Sequence, residues 1–514
     1  MSESMKGSLR RPELPSVDFD WPKETWQEVG RRLLDLAASA STDWRGRRPS
    51  PPDTSEVLGR FRDLLPQSPV DIDRLIARLA EDLIPSAAHN GHPRWFAYIT
   101  ASPVPISVLG DLLASALNQN TALWRLAPAA TAVELQTVDW LKDILGYPAT
   151  AEGIFVSGGQ MANIVAHAVL RDFKAPWDTR RYGARGPTGD ARQLRIYASQ
   201  EMHYCHQQAA EFLGLGRETI REVPVDARYR MRTDALTAMI AEDRARGDLP
   251  IAVVGTAGTV GTGAVDPLGE LLAVARAEDL WFHVDGAYGA FAALAPSGPD
   301  DLEFIAEADS VACDPHKWLY SAIDAGVVLM RKQGLLERSF AFHAKYLESD
   351  GSAEQVDLLE RSPENTRPFR ALKVWLALQV YGRDGYRDMI ERNLQLAIYM
   401  EKLVDSTPGL VLAAPRQLSI VCWRVEPTGL SDPARLERLQ TRVIDELEAR
   451  GIAMVSNAAL SEGRNAIRAC VVNFRTSPED VEAVVQASAA IGQEEKPVDR
   501  DLDKGGGEVD RREH

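Results

Sequence analysis

Six short apolar runs, each closed by turn-forming residues, most strongly limit what this chain can fold into. They span residues 153–157, 194–199, 251–257, 280–285, 310–314 and 325–330. Most are separated by segments with helical periodicity, such as 161–173 and 233–245. Continuous apolar strands that alternate with helices indicate a sheet covered on both faces. The sequence therefore predicts an α/β protein built on a large, mostly parallel sheet.

The length of 514 residues leaves room for more than one domain. Residues 1–88 predict an N-terminal arm with helices at 24–38, 57–64 and 71–83. Residues 89–378 predict the large α/β domain. Residues 379–491 predict a smaller C-terminal α+β domain, with a helix at 386–404, strands at 418–425 and 466–474, and a helix at 433–450. The charged, glycine-bearing end, 492–514, predicts a disordered tail.

Charge and cysteine usage exclude several function classes. The formal net charge is -16, and an acidic chain repels the phosphate backbone, which argues against a nucleic-acid partner. The four cysteines lie far apart without a Cys/His cluster, which favours a reducing compartment and no metal site. Neither a membrane-spanning apolar run nor a signal peptide is found, so we expect a cytoplasmic protein with no membrane partner.

Polar and glycine residues follow the predicted strands, where open α/β sheets bind their ligands. The segment SGGQMAN at 157–163 precedes a helix, as a phosphate site does, although a plain tight turn explains it equally well. His203 follows the second strand, Asp285 ends the fourth, and a turn rich in Gly and Thr spans 258–267. Taken singly, these features are typical of a surface histidine, a helix-capping carboxylate and a flexible loop.

Lys317 follows the fifth strand, directly after His316 and before Trp318. Most lysines are solvated surface charges. A lysine flanked by His and Trp at the mouth of a sheet is expected to be partly desolvated, which lowers its pKa and favours a Schiff-base nucleophile. A phosphate cradle, an aldehyde-capturing lysine and a strand-end carboxylate together meet the requirements of pyridoxal phosphate. The carboxylate keeps the pyridine nitrogen protonated, so that the ring accepts electrons.

Several motifs of this chain resemble the group II pyridoxal-phosphate decarboxylases, which include aromatic-L-amino-acid, glutamate and histidine decarboxylases. The matching segments, in the order and spacing of that family, are HPRWFAY at 92–98, SGGQMAN at 157–163, a strand-end His203, HVDGAYG at 283–289, DPHKW at 314–318 and RPFRALKVW at 367–375. The resemblance runs from about residue 20 to residue 485, nearly the whole chain.

The resemblance implies a fold and a set of roles. The fold is the fold type I, aspartate-aminotransferase-like one, in an obligate homodimer with active sites at the interface. Lys317 is expected to form the internal aldimine and Asp285 to face the pyridine nitrogen. Ala287 resembles the small residue on one face of the cofactor ring, and His203 the imidazole stacked on the other. Lys317, His203 and Asp285 are the expected catalytic residues.

Further positions fall where the family contacts the cofactor, mostly on its phosphate side: Gly158, Gly159, Gln160, Thr259, Asp314 and His316. Two of them depart from the family pattern. Gln160 stands where the family often has Ser or Thr. Asp314 stands where it often has Asn, and an extra carboxylate beside a phosphate is unfavourable unless it points away. Thr259 is followed by Val260, where Thr is common.

The outcome of the reaction depends on a lid loop. In the resembling decarboxylases a lid tyrosine protonates Cα after CO2 is lost. Here the lid is expected at 348–365, which contains no Tyr, Phe or His. In the family, loss of that tyrosine is associated with oxygen intercepting the quinonoid, giving an aldehyde, ammonia and peroxide. His203, Tyr346 or a residue from the partner subunit are the alternative proton donors. Decarboxylation to an amine is therefore the first prediction, and decarboxylation-coupled oxidative deamination the second.

The predicted substrate pocket consists of Trp95, Tyr98, Ile99, Asn120 and Trp124. Its aromatic character favours a flat or apolar side chain, although such residues are also typical of a core. Asn120 brings an amide that suits a phenol or a polar aliphatic group. An aromatic L-amino acid is the favoured substrate. Aliphatic and acidic amino acids stay open, with Arg94 and Arg125 as candidate partners for a side-chain carboxylate.

Two other readings compete with a decarboxylase. An aminotransferase usually holds the substrate carboxylate with an arginine of its small domain, and Arg468 and Arg475 are the candidates, with a surface ion pair as the ordinary explanation of both. A non-catalytic relative requires that Lys317 holds no cofactor. An aminotransferase consumes a keto acid and releases no CO2, which distinguishes it from a decarboxylase.

Overall fold

The computed structural model describes residues 19–187, 192–342, 355–460 and 463–494. Its contacts divide the chain into two units. The first comprises Met1–Gly46 and Pro51–Ala88, and the second comprises Arg47–Ser50 and His89–His514. Among the described residues, no helix combines the length and the apolar character needed to cross a membrane.

The N-terminal unit is helical. Its helices are α1 (Lys23–Thr42), α2 (Thr54–Arg60), α3 (Ile72–Arg78) and α4 (Ile84–Ser86), with a π-helical turn at Leu79–Leu83 between the last two. The side chain of Asp53 accepts hydrogen bonds from the backbone N–H groups of Ser55 and Glu56 and so caps α2. The helix predicted at 57–64 therefore begins and ends earlier than expected, whereas those at 24–38 and 71–83 are confirmed.

A seven-stranded sheet forms the body of the second unit. Its strands are β1 (Glu152–Val156), β2 (Leu194–Ser199), β3 (Ile220–Val223), β4 (Leu249–Thr256), β5 (Trp281–Asp285), β6 (Ser310–Cys313) and β7 (Gly326–Met330). They lie in the order β1-β7-β6-β5-β4-β2-β3, and only β7 runs antiparallel to its neighbours. The predicted α/β class with a mostly parallel sheet is confirmed.

Side chains of successive strand residues point to opposite faces of this sheet, and both faces are buried. Phe155, Tyr197 and Val253 belong to one hydrophobic cluster, whereas Ile154 and Val254 belong to the other. The covering helices in this part of the chain are α5 (Pro105–Leu117), α6 (Pro128–Ile144), α7 (Gly159–Lys174), α8 (Thr179–Tyr182), α9 (Cys205–Phe212), α10 (Thr233–Ala245), α11 (Leu268–Ala277), α12 (Pro315–Trp318) and α13 (Leu335–Phe340). Two-sided burial explains why the strands are continuous apolar runs.

The C-terminal part begins with α14 (Ala371–Ser406), in which Gly382 has a non-helical backbone with φ 66°. It continues with β8 (Leu410–Leu412), β9 (Ile420–Val425), α15 (Pro433–Ala449), β10 (Ser456–Ala459), β11 (Asn465–Cys470) and α16 (Pro478–Gln493). The strands form an antiparallel sheet in the order β10-β11-β9-β8. The predicted domain division at residue 378 falls inside α14, near Gly382, and stays a prediction. Of the predicted tail, residues 495–514 lie outside the described residues.

Candidate active site

A cleft opens where β4, β5 and β6 end and α7 begins. The residues that line it are Ile99, Gly159, Gln160, Asn163, His203, Cys205, Thr256, Gly258, Val260, Asp285, Ala287, Tyr288, Asp314 and Lys317. This is the carboxyl edge of the parallel strands, where ligands of open α/β sheets bind. The structure therefore brings Lys317, Asp285 and His203 together, although they are far apart in the sequence.

Lys317 lies in the short helix α12, which Pro315 begins. Its Nζ is 2.9 Å from Oδ2 of Asp314, whose side chain is 2 % exposed. Burial lowers the pKa of Lys317, but the charge and the hydrogen bond of Asp314, and then the charge of Asp285, raise it above its ordinary value. The expected lowering of the lysine pKa is therefore wrong, because the neighbouring carboxylates outweigh desolvation.

Asp285 ends β5 and accepts three hydrogen bonds. Its Oδ1 accepts from the backbone N–H of Ala287 at 3.1 Å, and its Oδ2 accepts from Nε2 of His206 at 3.0 Å and Nδ2 of Asn163 at 3.2 Å. Burial by itself raises the pKa of Asp285, but the hydrogen bonds that it accepts from His206 and from the Ala287 N–H hold it below its usual range. Asp285 is therefore a permanent anion at neutral pH.

Further buried polar groups continue from Asp285 into the core. Asn163 bonds His283 (2.8 Å between Oδ1 and Nε2), and His283 bonds the Ser310 hydroxyl (2.8 Å from Nδ1). His206 bonds His167 (2.9 Å from Nδ1 to Nε2). Burial lowers the pKa of His283 to about 3, so this histidine is neutral at physiological pH.

One group of potential metal ligands lies in this region. Donor atoms of Cys205, His206 and Asp285 lie within 4.8 Å of one another. Asn163 donates its amide to both Asp285 and the Cys205 sulfur, the latter at 3.3 Å. Hydrogen bonds among these groups account for the arrangement.

The opposite end of the cleft is made by glycines at the start of α7. A Cβ added at Gly159 would lie 2.8 Å from Asp314 Oδ2 and 2.9 Å from the Ala287 Cβ, and one at Gly158 would lie 3.3 Å from Cε1 of His316. The glycines leave the backbone N–H groups of the 16-residue helix α7 accessible to an anion. Gln160 instead directs its amide to Gln208, at 2.9 Å.

Two buried polar atoms of the cleft indicate that a ligand completes it. Thr256 Oγ1 and Asp314 Oδ1 have no hydrogen-bond partner within the described part of the chain, and both residues line the cleft. Buried polar atoms are normally paired, so each needs an explanation. Together with an amine, an ionised carboxylate and a helix N-terminus, they fit the aldehyde, ring nitrogen and phosphate of pyridoxal phosphate.

The remaining residues that were predicted to bind the cofactor lie near the cleft. Their side chains make different hydrogen bonds. Nδ1 of His203 accepts from the backbone N–H of Cys205 at 3.2 Å, and burial lowers the pKa of this histidine. His316 lies 2.7 Å from the Ala325 carbonyl through Nδ1. The hydroxyl of Thr259 is used within its own turn, 3.1 Å from Thr262 Oγ1, and it is not among the cleft-lining residues.

Of the five predicted substrate-pocket residues, the structure brings Ile99 to the cleft. Trp95 is buried in the core, and Tyr98 is 63 % exposed. The Asn120 carbonyl accepts from the backbone N–H groups of Ala122 and Arg367, so it shapes its own loop. Trp124 bonds Asp357 through its backbone at 2.8 Å. These four residues are not among the cleft-lining residues of the described chain.

The predicted lid, 348–365, is only partly described. Residues 348–354, and Tyr346, lie outside the described residues. In the second half, the backbone N–H of Leu359 donates to the Ala122 carbonyl at 3.0 Å, and Glu364 pairs with Arg370 at 2.8 Å. The segment 355–365 is thus tied to the body of the protein.

The two arginines proposed for an aminotransferase differ in their surroundings. The side chain of Arg468 is buried and donates through Nη1 to the Tyr98 carbonyl at 3.1 Å, while its Nε and Nη2 have no partner within the described residues. Arg475 stacks on Phe474, 4.2 Å from the ring centroid, and bonds Ser102 at 2.6 Å. The ordinary explanation, a surface ion pair, is therefore wrong for Arg468, which is buried.

Sequence reasoning missed the cleft residues Asn163, Cys205 and Thr256, and it missed His206, which is buried and bonds Asp285. Thr256 ends β4, so the rule that located Asp285 at the end of its strand would also have found it. Asn163 stands inside the motif 157–163, where only its glycines and Gln160 were considered. Cys205 and His206 begin a helix directly after His203, and no sequence pattern marks them.

Comparisons with known proteins agree with the chemistry of this cleft. The family model described as "Pyridoxal-dependent decarboxylase conserved domain" matches residues 56–426. The "Aromatic-L-amino-acid decarboxylase" of Bacillus atrophaeus is 32% identical over 482 residues, covering 93% of this chain and 98% of that protein. The "L-2,4-diaminobutyrate decarboxylase" of Acinetobacter baumannii is 29% identical over 397 residues, covering 75% and 77%.

Two solved structures show the same architecture. The Oryza sativa TDC structure with PLP and tryptamine has a TM-score of 0.86 at 24% identity, covering 93% of this chain and 99% of that one, and it supports the fold alone. The 4-hydroxyphenylacetaldehyde synthase of Rhodiola rosea has a TM-score of 0.82 at 25% identity, covering 92% and 99%. The fold type I expectation is confirmed.

Proposed function

Because this chain belongs to the pyridoxal-dependent decarboxylase family, and is a pyridoxal-phosphate enzyme that removes CO2 from an amino acid, we propose that its substrate is an aromatic L-amino acid and its product the corresponding amine. The observation that carries the proposal is that Lys317 and Asp285 line one cleft. Ile99 and Val260 give that cleft apolar walls, and no arginine is among its described lining residues. The 32%-identical relative, named an aromatic-L-amino-acid decarboxylase, supports the same substrate class.

The proposal assigns a role to five residues of the cleft. Bound pyridoxal phosphate supplies an electron-accepting ring that stabilises negative charge at Cα. Lys317 would bind the aldehyde carbon of the cofactor, and Asp285 would favour a proton on its ring nitrogen. Ala287 and His203 would contact the ring. The N-terminus of α7, opened by Gly159, would bind the phosphate.

His203 is the proposed proton donor to Cα, in place of a lid tyrosine. Its Nδ1 accepts the N–H of Cys205, so the neutral ring carries its proton on Nε2. Burial lowers the pKa of His203, so the neutral ring prevails and the imidazolium form is a minor but stronger acid. The imidazolium form is the proposed donor: it gives one proton to Cα and returns to the neutral ring, which lines the cleft.

The second candidate function is conversion of the amino acid, O2 and water to an aldehyde, CO2, ammonia and H2O2. Two observations favour it. The predicted lid sequence contains no Tyr, Phe or His. A relative that is 28% identical over 479 residues is named 4-hydroxyphenylacetaldehyde synthase. In this reaction O2 takes the electrons that a proton would otherwise trap at Cα.

Product analysis distinguishes the two functions. The purified enzyme with pyridoxal phosphate is given single L-amino acids (Tyr, Phe, Trp, Dopa, His, Glu, Asp and 2,4-diaminobutyrate), with and without air. Equal CO2 and amine from an aromatic substrate, unchanged without air, support the proposed decarboxylase. Equal CO2, aldehyde, ammonia and peroxide, lost without air, support the second function. CO2 from only the acidic or diamino substrates contradicts the aromatic class, and keto-acid-dependent turnover without CO2 identifies an aminotransferase.

A homodimer is part of the proposal. Helix α5 exposes large apolar side chains on one face, each between 39 and 50 % exposed: Val108, Leu109, Leu112, Leu113 and Leu117. A stripe of this kind is costly in water and is typical of an interface. We expect a second copy of the chain to cover it, and sedimentation equilibrium to give twice the chain mass. The substitution Leu112→Asp should lower that mass towards the monomer, and a monomeric wild type would contradict the proposal.

The cytoplasm is the proposed location. All four cysteines are free thiols, and each of them is buried. Thiols that stay unpaired are typical of proteins from reducing compartments. Fractionation of the source cells would test this location, and recovery of the enzyme outside the cytoplasm would contradict it.

A further inference from the structure

Two chains of buried hydrogen bonds converge on Oδ2 of Asp285. We call the first the asparagine chain; it runs from Trp281 through Ser310, His283 and Asn163 to Asp285. We call the second the histidine chain; it runs from His167 through His206 to Asp285. His167, His206 and His283 have no exposed surface. Their protonation is therefore fixed by their hydrogen-bond partners rather than by water.

The asparagine chain has only one consistent direction. A carboxylate only accepts, so Asn163 must donate its amide N–H to Asp285 and present its carbonyl oxygen to His283. His283 then donates through Nε2. Its Nδ1 accepts from the Ser310 hydroxyl, which itself accepts from the Trp281 indole N–H, each bond being 2.8 Å long. Every member of the asparagine chain other than Asp285 is neutral.

The position of one proton decides whether His206 in the histidine chain is charged or neutral. His206 must donate to Asp285 through Nε2, so its Nδ1 faces Nε2 of His167, 2.9 Å away, with one proton between them. If His206 held that proton it would be charged, and His167 would have to carry its own proton on Nδ1, which has no partner within the described residues. If His167 holds it, only a lone pair is left unpartnered. The second arrangement costs less, because an unpaired buried N–H and an extra buried charge are both avoided.

We propose that His167 and His206 are positioning residues that leave the negative charge of Asp285 free for the cofactor. His167 donates to His206 and keeps it neutral, so His206 orients the carboxylate without cancelling its charge. A charged His206 would form a neutral pair with Asp285 and weaken its hold on a protonated ring nitrogen. This inference rests on the role proposed above for Asp285. The other titratable groups around Asp285 are His203, Cys205, His283, Asp314 and Lys317.

The test measures directly whether the ring nitrogen of the bound cofactor is protonated. Holoenzyme is prepared with pyridoxal phosphate carrying 15N in the ring, and its solid-state 15N resonance is followed from about pH 6 to 9. We expect the wild-type ring nitrogen to stay protonated throughout. The variant His167→Glu offers Nδ1 of His206 a proton acceptor in place of the N–H donor, so that His206 becomes charged, and it should lower the pKa of the ring nitrogen by about one unit or more, a tenfold change in proton affinity. The variant His167→Gln restores an N–H donor and should return the wild-type profile.

A second measurement needs no variant. Wild-type holoenzyme with 15N-labelled histidine should show a neutral His206 with its proton on Nε2 across the same pH range. A charged His206 in the wild type, or a His167→Glu variant with full cofactor content, a charged His206 and an unchanged ring-nitrogen profile, would overturn the inference. A wild type that binds no cofactor, or binds it with an unprotonated ring, would instead show that the proposed role of Asp285 has failed.

Discussion

Two buried aspartates line the same cleft and are held in opposite ways. Asp285 accepts hydrogen bonds from Ala287, His206 and Asn163, which belong to three separate segments of the chain. Asp314 has one close partner, Lys317 at 2.9 Å, with the His316 ring nitrogen farther away at 3.6 Å, and its Oδ1 has no partner within the described residues. One carboxylate is fully positioned by the protein, and the other is only partly satisfied.

The contrast indicates that the two ends of the cleft have different functions. The end that holds Asp285 has its charge and geometry in place before any substrate arrives, as a preorganised electrostatic site does. At the other end, the Asp314–Lys317 ion pair must change when the lysine reacts, because a lysine bonded to the cofactor no longer offers a free ammonium group. The first end should therefore respond to substitution through the reaction rate, and the second through cofactor capture.

The largest effect is expected from Lys317→Ala, which removes the reactive group of the second end. CO2 release should fall by roughly 10³-fold or more, because the lysine nucleophile is lost. The visible absorbance of bound cofactor, and its fixation to the protein by borohydride, should disappear. The control is Lys332→Ala, a lysine 5.0 Å from the Phe173 ring, which should change neither. A borohydride-reducible adduct in Lys317→Ala would contradict the assignment.

The next largest effect is expected from Asp285→Asn, which removes the negative charge at the preorganised end. An amide cannot hold a proton on the ring nitrogen as an anion does, so kcat should fall by about 10²-fold while cofactor is still bound. Steady-state kinetics at saturating cofactor measure it. Asp248→Asn, which removes a carboxylate paired with Arg195 at 2.7 Å, is the matched control and should leave kcat unchanged. A variant with near-normal kcat would show that Asp285 is not the ring-nitrogen partner.

The two ends also differ in how well the sequence predicted them. Asp285 and Lys317 were found because strand ends are visible as the points where apolar runs stop. His167 and His206 were not, because they meet only when α7 packs beside α9, and no periodicity marks that contact. The expected lowering of the Lys317 pKa was wrong for a related reason, since whether Asp314 points towards the lysine is decided by side-chain packing.

Outside the site, the same distinction explains what was missed. Strand β3 escaped prediction because Arg221 and Glu222 interrupt its apolar pattern at the edge of the sheet. Trp95 was assigned to the substrate pocket, yet the structure buries it in the core, and an aromatic residue gives the same sequence signal in both places. Hydrophobic periodicity and composition thus locate helices and strands, but they do not indicate which buried side chains face a cleft.

A smaller effect, on stability, tests the histidines behind Asp285. Burial lowers the pKa of His283 to about 3 and that of His167 well below its ordinary value. Below about pH 6.5 the unfolded chain takes up protons that the folded chain refuses, so the free energy of unfolding should fall as pH falls. At pH 5 the loss is roughly 2 kcal/mol for His283, and His167 adds to it in the same direction.

Urea unfolding at pH 7 and pH 5 measures this loss. The variant His283→Asn should reduce the difference between the two pH values by about one histidine's share, whatever its stability at pH 7. Asp285 does not blur the comparison, because its depressed pKa keeps it ionised at both values. A pH difference that is the same in wild type and variant would mean that His283 accepts a proton in the folded state.

The smallest effect is expected from Asp314→Asn, the counterpart of Asp285→Asn at the partly satisfied end. Asp314 raises the pKa of Lys317, so its removal should lower that pKa and increase the fraction of free amine at a given pH. After the cofactor has been removed, the variant should recapture pyridoxal phosphate up to about tenfold faster at pH 8, and the gain should shrink as rising pH deprotonates Lys317 in both proteins. Stopped-flow absorbance measures the rate, and Asp248→Asn serves again as the control. Slower capture at every pH would mean that Asp314 helps to bind the cofactor, and the two carboxylates would then differ in their partners but not in their purpose.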